Sequence, residues 1–124
     1  MIVAGVGCRR GVAGAAIAAL VRRAASVAGC EPVVVAAAAF KADEAGVAAA
    51  ASVLGVPVVW VGDEALAAVQ GMCVTRSDRV AAAVGVASVA EGCALAAAGD
   101  GARLVLARIA ADGVTCALAE GAGA

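Results

Sequence analysis

The chain has 124 residues, of which 65% are hydrophobic, and a formal net charge of −1. That length fits one domain able to bury roughly two-thirds of the surface its unfolded chain exposes, without help from a metal or a disulfide. The balanced charge, with Phe40 and Trp60 the only aromatic residues, excludes a general nucleic-acid binder, which needs a basic excess and stacking rings.

The five cysteines (Cys8, Cys30, Cys73, Cys93, Cys116) include no C-x-x-C pair, and the chain has no histidine. This argues against a zinc site, and no cofactor is expected. Scattered, unpaired thiols suit a reducing, cytoplasmic setting. No basic stretch precedes the first apolar residues, so no secretory signal is expected. The longest uncharged run, 45–62, contains Gly55 and Pro57 and reads as helix, turn and strand rather than a membrane span.

In chain order, Ile2 to Gly7 predicts a short buried strand. Val12 to Ala28 predicts a helix, because Ile17, Leu20, Val21, Ala24 and Val27 fall on one face at helical spacing. Glu31-Pro32 marks a turn, and Val33 to Phe40 a second strand. Asp43 and Glu44 favour the start of a helix through dipole complementarity, with Val47, Ala50, Ala51 and Leu54 as its apolar stripe. Gly55-Val56-Pro57 turns the chain into a third strand, Val58 to Val61. Asp63 introduces a short helix through Val69, Gly71 to Arg76 reads as a loop, and Ser77 as the cap of a helix from Asp78 to Val84. Ser88-Val89-Ala90-Glu91 matches the S-x-x-E capping box and starts a helix ending near Ala98. Two strands close the domain, Arg103 to Ile109 and Val114 to Ala119, joined through Asp112-Gly113, a hairpin signal. The domain spans 1–120, and the tail 121–124 reads as frayed. This order predicts a three-layer α/β/α sandwich around a mostly parallel five-stranded sheet with a C-terminal antiparallel hairpin.

Such sheets bind ligands beyond the carboxyl ends of their strands. If the first three strands are parallel, that edge gathers the glycine turn Gly5-Val6-Gly7-Cys8-Arg9-Arg10-Gly11, the segment from Lys41 to Glu44, and Gly62-Asp63. Glycines allow close backbone approach. A helix that starts after the turn without a capping hydroxyl leaves N–H groups open to an external acceptor. Arg9, Arg10 and Lys41 add cations suited to carboxylate or phosphate. A structural turn with two solvated arginines explains the same residues. GVGCRRG also has the spacing of some dinucleotide-binding turns, so a nucleotide-binding module is an alternative, although no acidic residue stands at the end of the second strand to hold a ribose. Cys8, beside two arginines, is a candidate for a lowered thiol pKa. Glu44 and Glu91 are the carboxylates available as general base if the site does chemistry.

The stretches "GVGCRRGVAGAAIAAL", "FKADEAGVAAAASVLGVPV", "VGVASVAEGCALAAAG" and "RLVLARIAADGVTCALA" resemble, in order and over nearly the whole chain, the CobE/CbiG C-terminal domain family of cobalamin biosynthesis. The resemblance implies an α/β fold and a part in corrin-ring synthesis. In the longer CbiG proteins it implies opening of a lactone on cobalt-precorrin-5A with release of acetaldehyde; this chain is similar only to their C-terminal domain and to the free-standing CobE form. The ligand so implied is a tetrapyrrole rimmed by acetate and propionate groups, with other corrin-pathway enzymes as further partners and neither nucleic acid nor membrane. The candidate binding set is then Gly5, Gly7, Cys8, Arg9, Arg10, Gly11, Lys41 and Ser88, and the candidate catalytic set Glu44, Glu91 and Lys41, with no metal ligands.

Overall fold

Small and β-branched residues fill the strands because helices lie close on both faces. In the computed structural model, which describes residues 1–73 and 88–123, the elements are β1 (Ile2–Cys8), α1 (Gly14–Ala28), β2 (Val34–Ala38), α2 (Ala45–Leu54), β3 (Val58–Val61), α3 (Asp63–Ala68), α4 (Val89–Ala98), β4 (Arg103–Ala111) and β5 (Val114–Glu120). Short 3₁₀ turns follow β2 (Ala39–Lys41) and α3 (Gln70–Met72). The Ser77 cap and the helix expected from Asp78 lie outside the described residues.

The five strands run in the order β3-β2-β1-β5-β4. β1, β2 and β3 are parallel neighbours, whereas β5 pairs antiparallel with both β1 and β4. The sheet is therefore mixed, not mostly parallel. The C-terminal hairpin extends the sheet on the β1 side, with β5 against β1 and β4 outermost, so half of the strand pairings are antiparallel. Its turn is the one the Asp-Gly signal calls for. Asp112 (φ 54°) and Gly113 (φ 79°) both take left-handed backbone, which matches the twist of the flanking strands.

Alternation in β1 sorts the two cores. Ala4 and Val6 face α1 and α2, joining Ile17, Leu20, Val21, Val47 and Ala50. Val3 faces the other side with Ala36, Leu66, Ala94, Leu95 and Ala119, under α3 and α4. Each fully buried Leu, Ile or Val contributes roughly 1.5–3 kcal/mol relative to exposure. Gly5 lies on the α4 face. A Cβ there would stand 2.0 Å from the Ala90 carbonyl oxygen and 2.6 Å from the Ala94 nitrogen, so the helix rests on bare strand backbone.

β4 carries two register shifts, at Leu104/Leu106 and Leu106/Ile109. Extra residues of this kind drop out of the ladder and leave backbone groups to be satisfied elsewhere. The chain end expected to fray is tied down: the N–H groups of Gly121 and Gly123 donate to Met1 O (3.1 Å) and Ala98 O (2.8 Å). No described helix is long and apolar enough to cross a membrane.

Candidate functional site at the carboxyl edge

The register of β1, β2 and β3 puts the loops that follow them along one edge. β1 ends at Cys8, and the turn Arg9-Arg10-Gly11 leads to α1. Gly11 has φ 78°, a left-handed conformation that side chains with a Cβ resist. The Arg9 N–H donates to the Gly113 carbonyl (2.9 Å), and the Arg9 stem passes so close that a side chain on Gly113 would sit 3.3 Å from its Cδ. The first loop is thus anchored to the β4–β5 hairpin on one side.

On the other side it is anchored to α2. The Gly11 N–H donates to Glu44 Oε2 (3.0 Å). Glu44 is the residue that introduces α2, yet its side chain does not cap its own helix; it reaches across to the neighbouring loop instead. The two helices approach closely there: a Cβ on Gly46 would stand 2.3 Å from the Val12 carbonyl oxygen, and one on Gly14 would stand 2.7 Å from Ala49 Cβ. Neither α1, which Ala13 introduces, nor α2 has a side-chain cap. Two uncapped helix starts therefore lie side by side, each contributing partial positive charge.

Arg9 and Arg10 are exposed and Lys41 is half-buried. Among the described residues the one ion pair is Arg103–Glu120, on the outer strand, so none of these three cations is ion-paired there, although the Glu44 carboxylate stands at the same edge. Cys8 lies within the electrostatic reach of this edge. Burial pushes its thiol above the ordinary value, Lys41 pulls it down and Glu44 raises it. The expectation of a lowered pKa is reversed, because desolvation outweighs the nearby cation. Burial thus disfavours the thiolate form of Cys8.

The remaining candidates sit behind this rim. Gly7 lies opposite Thr115, whose hydroxyl donates to the Gly7 carbonyl (3.4 Å); Thr115 Oγ1 would stand 2.7 Å from a Cβ on Gly7. Gly5 is covered by α4. Ser88 and Glu91 are fully buried. Ser88 Oγ accepts from the Glu91 N–H (3.3 Å), as the capping box requires. Glu91 Oε2 accepts from the Arg108 N–H (2.9 Å), one of the groups the β4 bulge frees from the ladder. Glu91 thus joins α4 to β4, away from solvent. Sequence reasoning missed the glycine contact between α1 and α2 and the support from Gly113; glycines just inside the starts of two consecutive helices were the available signal for the first.

The family profile described as "Cobalamin synthesis G C-terminus" matches residues 2–119. Among solved structures, CobE, a protein from the cobalamin (vitamin B12) biosynthetic pathway, is similar at 32% identity and a TM-score of 0.89, over 96% of this chain and 89% of that one. The cobalamin biosynthesis protein ChiG from Agrobacterium tumefaciens strain C58 is similar at 44% identity and a TM-score of 0.81, over 98% of this chain and 99% of that one. No curated protein sequence matches the chain.

Proposed function

Because the chain belongs to the cobalamin synthesis G C-terminal (CobE/CbiG) family, whose role lies in cobalamin biosynthesis, we propose that it binds a polycarboxylated corrin intermediate at the carboxyl edge of its sheet, as an accessory or carrier for the pathway. The observation that supports this reading is that the segments carrying Arg9, Arg10 and Lys41 lie on one edge of the sheet, with none of the three ion-paired among the described residues. They stand beside two helix starts without side-chain caps. Acetate and propionate groups of a macrocycle are complementary to such a rim. A charge-assisted hydrogen bond contributes up to about 1.5–3 kcal/mol, less where water screens it.

Titration with cobyrinic acid, a carboxylate-fringed corrin, followed by absorbance tests the reading. The native chain should bind it more tightly than an amidated corrin, and more weakly as salt rises. Arg9→Ala with Arg10→Ala should lower affinity by about tenfold or more, corresponding to about 1.4 kcal/mol at least, with the circular dichroism spectrum unchanged. Equal affinity in that double variant would overturn the reading.

Lactone opening, as implied for the longer family members, is the alternative, and the position of Glu44 at the rim favours it over Glu91 as the base. In that mechanism Glu44 takes a proton from the water that attacks the lactone carbonyl, Lys41 stabilises the oxyanion, and the ring C–O bond breaks; the freed alkoxide then collapses to acetaldehyde as its C–C bond to the macrocycle breaks, and the electron pair left in the ring is protonated there. Release of acetaldehyde from cobalt-precorrin-5A, lost in Glu44→Gln, would support it. Binding without release leaves the accessory role.

A further inference from the structure

The core contains no aromatic ring. Its largest fully buried side chains are aliphatic, led by Ile17, Leu66, Leu95 and Leu118, with Glu91 among them. The only two aromatic residues of the chain are both left in solvent, Phe40 at 46% and Trp60 at 36% exposure. Aromatic side chains carry the largest apolar surfaces available to a protein, and folding ordinarily hides them. Neither ring belongs to either core cluster, so both present apolar surface outside the core.

Their place is specific. Trp60 is the penultimate residue of β3, paired with Ala37 of β2, and so it lies on the sheet face that carries α1 and α2. Phe40 is in the 3₁₀ turn that directly follows β2, one residue before Lys41. Both therefore lie at the carboxyl edge that also holds the Arg9-Arg10 turn. Adjacent strands are about 4.8 Å apart, so the span from β1 to β3 is on the order of 10 Å, within the reach of one small molecule. Of the other exposed large apolar residues, Val27, Val33 and Val53 belong to the opposite edge, where α1 and α2 end and β2 begins, whereas Val59 precedes Trp60 in β3 and Met72 ends the turn after α3.

We propose that Phe40 and Trp60 form an apolar shelf for the ring face of the bound macrocycle, while Arg9, Arg10 and Lys41 hold its carboxylate fringe. The inference rests on the corrin-binding reading and deepens it by naming what meets the ring itself. A tetrapyrrole presents two chemistries, a broad conjugated face and a charged periphery. An arginine and lysine rim answers only the second. Phe40, one residue before Lys41, and Trp60, on the strand beside β2, answer the first, and their place on the edge that carries the three cations favours an anionic flat ligand over a neutral one. A second copy of this chain is disfavoured as the occupant, because it would bring a like-charged rim against the first.

The test uses the full chain and cobyrinic acid, and Trp60, the single tryptophan, as reporter. Binding should lower the acrylamide quenching constant of Trp60, read from fluorescence lifetimes. Phe40→Ala with Trp60→Ala should lower affinity at least tenfold, whereas Trp60→Phe should stay within about threefold of native because a ring face remains. Phe40→Ala alone should lose affinity even if the double variant fails to fold. If the aromatic variants bind as tightly as native while the Arg9/Arg10 double variant is weakened, the shelf is wrong and the corrin-binding reading survives. If the native chain does not bind at all, that reading falls and the shelf with it. Shielding of Trp60 that grows with protein concentration in the absence of ligand would overturn the shelf in favour of self-association.

Discussion

Replacing Gly5 with alanine separates a glycine that serves the fold from one that would serve a ligand. The added Cβ would lie 2.0 Å from the Ala90 carbonyl oxygen, 2.6 Å from the Ala94 nitrogen and 2.8 Å from Ala94 Cβ, where ordinary contact begins near 3.4 Å. Two of these three neighbours are backbone, so no side chain can rotate away; α4 itself must retreat by about 1.4 Å. A gap of that order forfeits a quarter to a half or more of the dispersion energy along the contact, and overpacking a tight core typically costs about 1–3 kcal/mol. The upper value applies here because α4 also buries Cys93, Leu95, Ala97 and Ala98. With an unfolding entropy of about 2.1 cal/mol/K per residue over 124 residues, about 3 kcal/mol lowers Tm on the order of 10 °C. Thermal unfolding followed by far-ultraviolet circular dichroism measures this. The control is Gly71→Ala, where a Cβ meets nothing within 4 Å and Tm should hold or rise slightly. A Gly5→Ala protein melting within about 2 °C of native would refute the claim that α4 rests directly on β1.

Other perturbations have defined outcomes. Glu44→Ala removes the acceptor of the Gly11 N–H and should cost about 1 kcal/mol, or about 4 °C in Tm, whereas Glu44→Gln keeps an acceptor and should lose less than half of that. Glu91→Ala leaves the part-buried Arg108 N–H without this acceptor and removes a fully buried side chain, and should destabilise by about 2 kcal/mol in urea unfolding, with Glu91→Gln milder. Burial pushes the thiols of Cys93 and Cys116 up to about 12 from an ordinary 9.0. The unfolded chain therefore gives up these protons first, so their contribution is intact below pH 9 and is lost as pH rises toward 12. Tm measured against pH should fall in that window, and Cys93→Ala should make the fall shallower even though it lowers Tm at neutral pH.

Local signals were legible where one physical rule acted alone. The Ser88 cap begins α4 at Val89 and carries it to Ala98 as expected, and Asp112-Gly113 makes the expected hairpin turn. α1 starts two residues later than its apolar spacing predicts, because the left-handed Gly11 and extended Ala13 delay the helix to Gly14. The apolar run predicts β2 through Phe40, but the chain enters a 3₁₀ turn at Ala39; apolar continuity does not distinguish the two. The mixed sheet escaped prediction because nothing in the hairpin sequence says whether β4 or β5 joins β1. Within the candidate site, Arg9, Arg10 and Lys41 could be grouped from strand order alone. The depth of Ser88 and Glu91 could not, since a capping box reads the same at the surface as in the interior.

The two bulges of β4 also bear on how copies of this chain behave in a crowd. A regular outer strand in a sequence that is 65% hydrophobic would offer neighbours a ready template for added strands. Here one border of the sheet is interrupted twice and carries Arg103 and Arg108, and the other, β3, is only four residues long. Neither border can extend a long uninterrupted ladder, a form of protection against fibril growth that depends on irregularity. Deleting Val105 to remove the first of the two shifts should therefore shorten the lag before turbidity appears on heating.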